Sequence, residues 1–361
     1  MFYLFWIFPK IALSGEVVIS RSQRLLVSEG SWHENQIDKI NFLSQCAIGS
    51  SNTKGTCERK VFSMSEEELG DLAGLRAFYD SLGGATWKYN FGWLKGSPCW
   101  DLWFGIDCNG DGRVVKISLP DNRLKGIIPV EISMLTALKS LHLQTSTQTI
   151  FMYKNPDANK ITGTVPSLAA LTNLQVLDLS GNFINALPVD LGKNINLEIL
   201  SCSWNFLTFL PNISTLLKLK IFQMQSNPII DIFPHSICNL NSLMIIDLGN
   251  TTLSGNLPAC IATELNPTVF DVSAPHPTGL GPGKGLTGGF PDDLVISNWT
   301  HLQYLSVYGQ ISMTGRIAGE CISTRICFRN MFAAHSDLSW ASSTSDVPSF
   351  VFDNVALATT G

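Results

Sequence analysis

The sequence predicts an α/β solenoid in which every repeat contributes one short parallel strand. An apolar pattern, L-x-x-L-x-L, recurs from Val114 onward with a period of 22–24 residues that expands twice, to 36 and 35 residues. Such a period is typical of stacked-repeat folds, because a coil of this length cannot bury its apolar face alone. The paired strand positions are Ile117/Leu119, Leu141/Leu143, Leu177/Leu179, Leu200/Cys202, Phe222/Met224, Ile246/Leu248, Phe270/Val272 and Leu305/Val307.

The prolines give a second, independent measure of the same repeat. They are spaced 37, 22, 23, 23, 24 and 33 residues apart, and so show the same two expansions. We therefore predict about eight repeats over residues 113–318, expanded at 144–157 and 273–283. The repeat prolines are Pro129, Pro166, Pro188, Pro211, Pro234, Pro258 and Pro291.

An asparagine follows the first apolar strand residue by five positions in four of the repeats. Inside a solenoid, such a side chain can bond backbone groups of its own and the adjacent coil, which would otherwise be buried without partners. We expect this role for Asn122, Asn182, Asn205 and Asn227.

Four segments, at 124–129, 161–166, 253–258 and 286–291, match the motif L-x-G-x-I/L-P. The corresponding segments at 184–188, 207–211 and 229–234 lack the glycine. Over residues 65–318, about 70% of the chain, the sequence resembles plant-type leucine-rich-repeat proteins. This family includes ectodomains of receptor-like proteins and receptor kinases, and polygalacturonase-inhibitor-like proteins. The resemblance implies a right-handed superhelix with a parallel sheet lining its concave side.

Residues 65–112 predict a helical cap in front of the first repeat. Ser65 and Glu68 form a capping box, in which each side chain bonds the backbone of the other residue. An apolar helical pattern follows and ends at Gly83. The terminal coil of a solenoid needs such a cap to cover its core.

Tryptophans and cysteines follow the predicted helix in an order that resembles the N-terminal capping domain of plant-type leucine-rich-repeat ectodomains. We expect Trp87, Trp93 and Trp100 to form the core of the cap. By the same resemblance, Cys99 and Cys108 form a disulfide, which fits an oxidising compartment.

The remaining cysteines leave several pairings open. Cys321 and Cys327 follow the last repeat and resemble a C-terminal cap pair, and Cys46 could pair with Cys57. Cys238 and Cys260 lie in loops of neighbouring repeats, where a bridge and two free thiols are both open alternatives. Cys202 replaces a strand leucine, so we expect a buried free thiol.

The ends of the chain carry weaker signals. Residues 1–14 fit a short signal peptide, with a truncated start as the alternative, and they are too short to span a bilayer. Residues 15–64 give no periodic pattern, and 319–361 are interpreted as a C-terminal cap and tail, with a truncated end as the alternative. Asn212, Asn250 and Asn298 begin N-x-S/T sequons and are candidate glycosylation sites if the chain is secreted.

Composition and motifs exclude several function classes. The net charge of −5 argues against nucleic-acid binding by bulk electrostatics. The six histidines form no zinc-ligand spacing, and no catalytic motif or protein-kinase motif set is present. We therefore expect no enzyme activity, no cofactor and no metal.

The strand residues on either side of each leucine predict the binding surface. Side chains alternate along a strand, so these positions share the face opposite the core. From Val176 to Tyr304 one row of them is apolar over six repeats, about 24 Å at ordinary strand spacing. We interpret this row as exposed, which would make it a contact surface. The alternative is that V/I-L-D-L-S is ordinary repeat consensus and that much of the row is filler. The candidate ligand-binding residues are His142, Val176, Asp178, Ile199, Ile221, Gln223, Ile245, Asp247, Asp271 and Tyr304.

These features predict a recognition module that binds a protein, peptide or glycan ligand on its concave face. The resemblance implies a receptor-like ectodomain in the secretory pathway, extracellular or at the cell surface, with any membrane attachment at the N-terminus or outside this chain. A secreted inhibitor of an extracellular hydrolase and an intracellular interaction scaffold are the alternatives. Both expansions follow a strand directly, so we expect their loops to flank the concave site.

Overall fold

A computed structural model describes residues 64–146, 155–274, 285–289, 299–302, 304–307, 310, 313–318, 331–332 and 337–341. The predicted signal peptide, the segment 15–63 and the tips of both expansions lie outside this described part. So do Cys46, Cys57, Cys321, Cys327 and Asn298.

The cap begins with helix α1, Glu66–Ser81, whose first turn shows the predicted capping box. The Ser65 hydroxyl accepts a hydrogen bond from the Glu68 backbone at 3.1 Å, and the Glu68 carboxylate accepts one from the Ser65 backbone at 2.7 Å. The helix ends before Gly83, whose φ of 70° lies in the left-handed region that favours glycine. A 3₁₀ turn, Gly84–Thr86, follows.

Aromatic side chains form the core of the cap. Trp87 and Trp93 are buried as predicted, and their ring centroids lie 4.9 Å apart. The expectation for Trp100 is wrong, because its side chain is 63% exposed. Trp103 is fully buried instead, and its ring packs against that of Trp93 at a centroid distance of 5.0 Å. Residue type alone does not show which of several tryptophans close in sequence is buried.

Seventeen short strands occur among the described residues. In chain order they are β1 Ile106–Cys108, β2 Val114–Ser118, β3 Lys125–Gly126, β4 Ser140–His142, β5 Lys160–Thr164, β6 Val176–Asp178, β7 Phe183–Ala186, β8 Ile199–Ser201, β9 Ile221–Gln223, β10 Ile245–Asp247, β11 Gly255–Asn256, β12 Val269–Asp271, β13 Leu286–Gly289, β14 Tyr304–Ser306, β15 Met313–Ala318, β16 Met331–Phe332 and β17 Asp337–Ala341.

One strand from each repeat joins a single main sheet, which confirms the predicted solenoid. Its order is β1-β2-β4-β6-β8-β9-β10-β12-β14-β16, and from β2 onward the described strands pair in parallel. Strand β1 belongs to the cap and pairs antiparallel with β2. The predicted leucine positions are buried in one continuous core that also includes the cap aromatics.

Two smaller sheets form a second layer, which we call the lateral face. They run in the order β3-β5-β7 and β11-β13-β15-β17. Three of the glycines of the L-x-G-x-x-P motif, Gly163, Gly255 and Gly288, have φ values of 73–83° in this layer. Short helices complete the coils: 3₁₀ turns at Val130–Met134, Leu191–Lys193 and His235–Asn239, and helix α2 at Cys260–Thr263.

Three of the four predicted asparagines link adjacent coils by hydrogen bonds, whereas the Asn122 side chain bonds the backbone of Tyr89 in the cap. The Asn205 amide donates to the Leu179 carbonyl at 3.0 Å and to the Cys202 carbonyl at 3.1 Å, and its oxygen accepts from the Ile184 backbone N–H at 3.0 Å. Asn182 and Asn227 make the same set of bonds one coil away. We call this series the asparagine ladder.

The ladder also contains two members that the spacing did not predict. Asn159 lies after the first expansion, yet its amide donates to the Leu119 and Leu143 carbonyls at 2.8 and 2.9 Å. Gln310 is fully buried and bonds Val272 and Leu286 in the same way. Because the expansion lies between the strand and Asn159, this residue does not follow the first apolar strand residue by five positions. Sequence spacing alone therefore did not predict its role.

Two disulfides are present among the described residues. Cys99 pairs with Cys108 inside the cap, and Cys238 pairs with Cys260 across neighbouring repeats. Cys202 is a free, buried thiol, and its burial raises its pKa.

Replacing Asn205 with alanine should destabilise the chain strongly. The change leaves the buried Ile184 N–H without its partner and removes one of the two asparagine bonds to each of the Leu179 and Cys202 carbonyls, so we expect a loss of about 2 kcal/mol. Urea unfolding followed by circular dichroism measures the change. The control is Asn185→Ala on the lateral face, where an exposed amide oxygen bonds only Thr164. Equal midpoints for the two variants would contradict the role of the ladder.

Candidate functional site

The candidate site is the face of the main sheet that points away from the core, which we call the concave face. Strand pairing places its side chains in two straight rows. The central row is Ser118, His142, Asp178, Ser201, Gln223, Asp247, Asp271 and Ser306. The outer row is Lys116, Ser140, Val176, Ile199, Ile221, Ile245, Val269 and Tyr304.

The outer row is apolar over six consecutive strands, from Val176 to Tyr304. The interpretation of this row as exposed needs correction, because most of its side chains are half-buried and Ile245 is only 9% exposed. Neighbouring strands lie about 4.8 Å apart, so each side chain shields those above and below it. The row therefore presents a shallow apolar strip that a partner could cover.

The central row is the more buried of the two. Its serines at both ends are nearly inaccessible, and the Ser201 hydroxyl bonds the Gln223 amide oxygen at 2.9 Å. Desolvation raises the pKa of Asp178 to about 6, although its Oδ1 accepts a hydrogen bond from the Ser180 backbone at 3.1 Å. Burial, and then the charge of Lys116, lower the pKa of His142 to about 4. His142 is therefore neutral at physiological pH.

Two carboxyl groups meet further along the central row. Asp247 and Asp271 are paired in register on β10 and β12. Burial, followed by the charge of Asp271, raises the pKa of Asp247 well above its ordinary value, and burial also raises the pKa of Asp271. The Tyr304 hydroxyl lies 3.3 Å from Asp271 Oδ2 and donates to it.

Gly249 provides the space that Asp271 occupies, and sequence reasoning missed it. A Cβ at this position would lie 2.8 Å from the Asp271 carboxyl carbon, closer than packed atoms allow. The same position holds Ser180, Ser203 and Ser273 in other repeats. An alignment of the repeats at the position two residues after the central row would have shown a glycine at 249 where these repeats have serine.

The first expansion is fixed at its base near the cap end of the concave face. Asp121 Oδ1 accepts hydrogen bonds from the Ser146 backbone at 3.0 Å and the Asn155 amide at 2.8 Å. Asp157 forms ion pairs with Lys88 at 2.6 Å and Arg123 at 2.7 Å. These contacts join both ends of the expansion to the first coil. That its loop flanks a bound ligand stays a prediction.

Other chemistry has little support in the described part of the chain. No group of three His, Cys, Asp or Glu side chains is placed there to hold a metal ion. Over the same residues, none of the helices has both the length and the apolar character needed to cross a bilayer. The Asn109 side chain is used within its own turn, where its Oδ1 accepts hydrogen bonds from the backbone N–H groups of Asp111 and Arg113.

Comparisons with known proteins agree with this architecture. Residues 173–194 match the family model described as Leucine Rich Repeat. The receptor-like kinase TMK4 of Arabidopsis thaliana is 40% identical over 90 residues, which cover 25% of this chain and 8% of that protein. The receptor-like kinase TMK2 of Arabidopsis thaliana is 26% identical over 194 residues, covering 53% of this chain and 18% of that protein. The chain is a plant-type leucine-rich-repeat protein.

Solved structures resemble this leucine-rich-repeat protein over most of its length. The PEPR1–AtPEP1 structure matches at a TM-score of 0.57 and 25% identity, covering 75% of this chain and 35% of that one. A plant ice-binding protein matches at a TM-score of 0.55 and 21% identity, covering 76% of this chain and 77% of that one. This match supports the fold alone. The matched regions span less than a quarter of each curated receptor-like relative named above.

Replacing Asp178 with asparagine should stabilise the leucine-rich-repeat protein above about pH 6 and not below about pH 4. The folded-state pKa is raised, so the native state binds the proton more tightly and wild-type stability falls as pH rises from about 4 through 6. The rise of the Asp178 pKa from 3.8 to about 6 corresponds to a change of about 3 kcal/mol at most in the free energy of unfolding.

Urea unfolding midpoints at about pH 4 and about pH 7.5 measure this effect. Asp80→Asn, at an exposed position on α1, is the control. A stability gain for Asp178→Asn that is the same at both pH values would show that the buried charge is not the cause.

Proposed function

We propose that this chain is a recognition region of a plant receptor-like protein that binds an extended peptide along the concave face. The observation that carries the proposal is the outer row, where six apolar side chains align in register beside buried carboxyl groups. The main sheet is held by the core and the asparagine ladder, so binding would order few side chains, which limits its entropic cost.

The dimensions of the outer row suit a short peptide. Five strand intervals of about 4.8 Å give about 24 Å, which corresponds to about seven residues of extended chain. Apolar peptide side chains would cover Ile199, Ile221 and Val269. Asp178, Asp247 and Asp271 lie directly beside this row, so a basic group on the peptide would find a complementary charge once these carboxyls ionise.

Similar proteins support this assignment. The curated relatives carry receptor-like names, and the PEPR1–AtPEP1 structure, at 25% identity, contains two named partners. The disulfides Cys99–Cys108 and Cys238–Cys260 are typical of proteins that fold in an oxidising compartment. We therefore place this recognition region outside the cell or at its surface, acting by noncovalent binding without catalysis.

Peptides selected from a random displayed library against the full chain provide the test. Replacing Ile221 with serine should weaken the binding of selected peptides about tenfold or more, because it removes apolar contact at the centre of the outer row. Isothermal calorimetry with the selected synthetic peptides measures the change.

Ile230→Ser is the matched control, since Ile230 is 70% exposed on the lateral face and the substitution is the same. If peptide binding depends on Ile230 and not on Ile221, the binding site is on the lateral face and the proposal for the concave face is wrong. Failure to enrich any peptide over an unrelated protein would contradict peptide recognition.

A further inference from the structure

A groove lies on the lateral face beside two of the three repeats that lack the motif glycine. Among the described residues, no strand covers 206–210 or 228–232. The layer continues there through a bridge between Ile232 and Ser254 and through single backbone hydrogen bonds, such as that from the Ile230 N–H to the Thr208 carbonyl at 2.9 Å. Phe209 and Asp231 stand where Gly163 and Gly255 stand in other repeats, and neither has a positive φ. No regular strand joins the two lateral sheets at these described positions, although β7 forms in the third repeat without the glycine.

The groove has a volume of about 450 Å³. Its lining residues are Leu210, Pro211, Asn212, Asp231, Ile232, Phe233, Pro234, His235 and Ser236. The Ile232 side chain is 64% exposed. Phe209 is next to the lining residue Leu210 in sequence, and its side chain is 68% exposed. These exposed apolar side chains are a surface that a covering group would shield from water.

Asn212 is part of the groove wall and also begins a sequon. Its Oδ1 accepts hydrogen bonds from the Ser214 backbone at 3.0 Å and the Ser214 hydroxyl at 2.8 Å. Its Nδ2, the atom to which an N-linked glycan is attached, donates to no described residue, and the side chain is exposed. Ile213 is buried and fixes the direction of this turn.

The sequon at Asn250 is arranged differently, although it is also exposed. The Asn250 amide donates to the Ser226 hydroxyl at 3.0 Å, and the Thr252 hydroxyl is engaged by the Ile229 carbonyl. Asn250 is also absent from the groove lining. Of the two described sequons, only Asn212 combines a free attachment atom with an adjacent apolar groove.

We propose that Asn212 carries an N-linked glycan whose first sugars lie in this groove and cover it. The inference rests on the secretory location proposed above. A pyranose ring has apolar C–H faces and hydroxyl edges, and the groove offers both kinds of partner. Ile232, Pro211 and Pro234 provide apolar surface, while the Asp231 carboxylate and His235 provide hydrogen-bonding groups at the same site. Attachment at the groove wall gives the sugars a high effective concentration there.

Expression of the full chain through the secretory pathway of a plant cell line tests the inference. Glycopeptide mass spectrometry should find Asn212 occupied in protein whose Cys99–Cys108 disulfide is oxidised. Oxidised protein with an unoccupied Asn212 would overturn the inference and leave the proposed location intact. Reduced Cys99 and Cys108 without any glycan would contradict both.

The covering role needs a second readout. Removal of the glycan in Asn212→Gln and in Ser214→Ala should raise the fluorescence of a hydrophobic dye about threefold and lower Tm by about 3 °C. Asn250→Gln should leave both unchanged. Adding Ile232→Ser to Asn212→Gln should return the dye signal to the glycosylated level. An occupied Asn212 whose loss changes neither dye binding nor Tm would overturn the covering role.

Discussion

The asparagine ladder is the constraint on which the rest of the structure depends. A coil of 22–24 residues has to turn back on itself, and its turns leave backbone donors and acceptors inside the core. Each ladder side chain satisfies groups in two coils at once, as Asn205 does for Leu179, Cys202 and Ile184. Adjacent coils are thereby held in one register, even across the first expansion, where Asn159 takes over the role.

Fixed register is what turns single residues into surfaces. Because every coil repeats the same position, isolated Val and Ile residues become the outer row, and isolated aspartates become neighbours such as Asp247 and Asp271. The two faces then differ in chemistry for a structural reason. The concave face keeps unbroken rows, whereas the lateral face has no regular strand at 206–210 and 228–232, where the groove beside Asn212 lies.

The repeat period was sufficient to predict the solenoid, the strand positions and the membership of both rows. It was insufficient wherever a position depends on its neighbours in space. The burial of Ile245, the exposure of Trp100 and the space left by Gly249 for Asp271 all follow from packing between coils. The ladder roles of Asn159 and Gln310 were not predicted. Asn159 follows an expansion that changes its spacing from the strand, and Gln310 is a glutamine where the other ladder residues are asparagines. In the described structure, two of the three repeats without the motif glycine lack a lateral strand and the third keeps β7, so the missing glycine alone did not predict the groove.

The central claim is that the concave face, and the outer row in particular, binds an extended peptide. Photo-crosslinking tests it most directly, using a library-selected peptide that carries a photoreactive side chain and mass spectrometry to locate the adducts on the full chain. The account predicts adducts on the outer row, at Ile199, Ile221 or Val269. Adducts confined to the lateral face, at Phe206, Phe209 or Ile230, would contradict it.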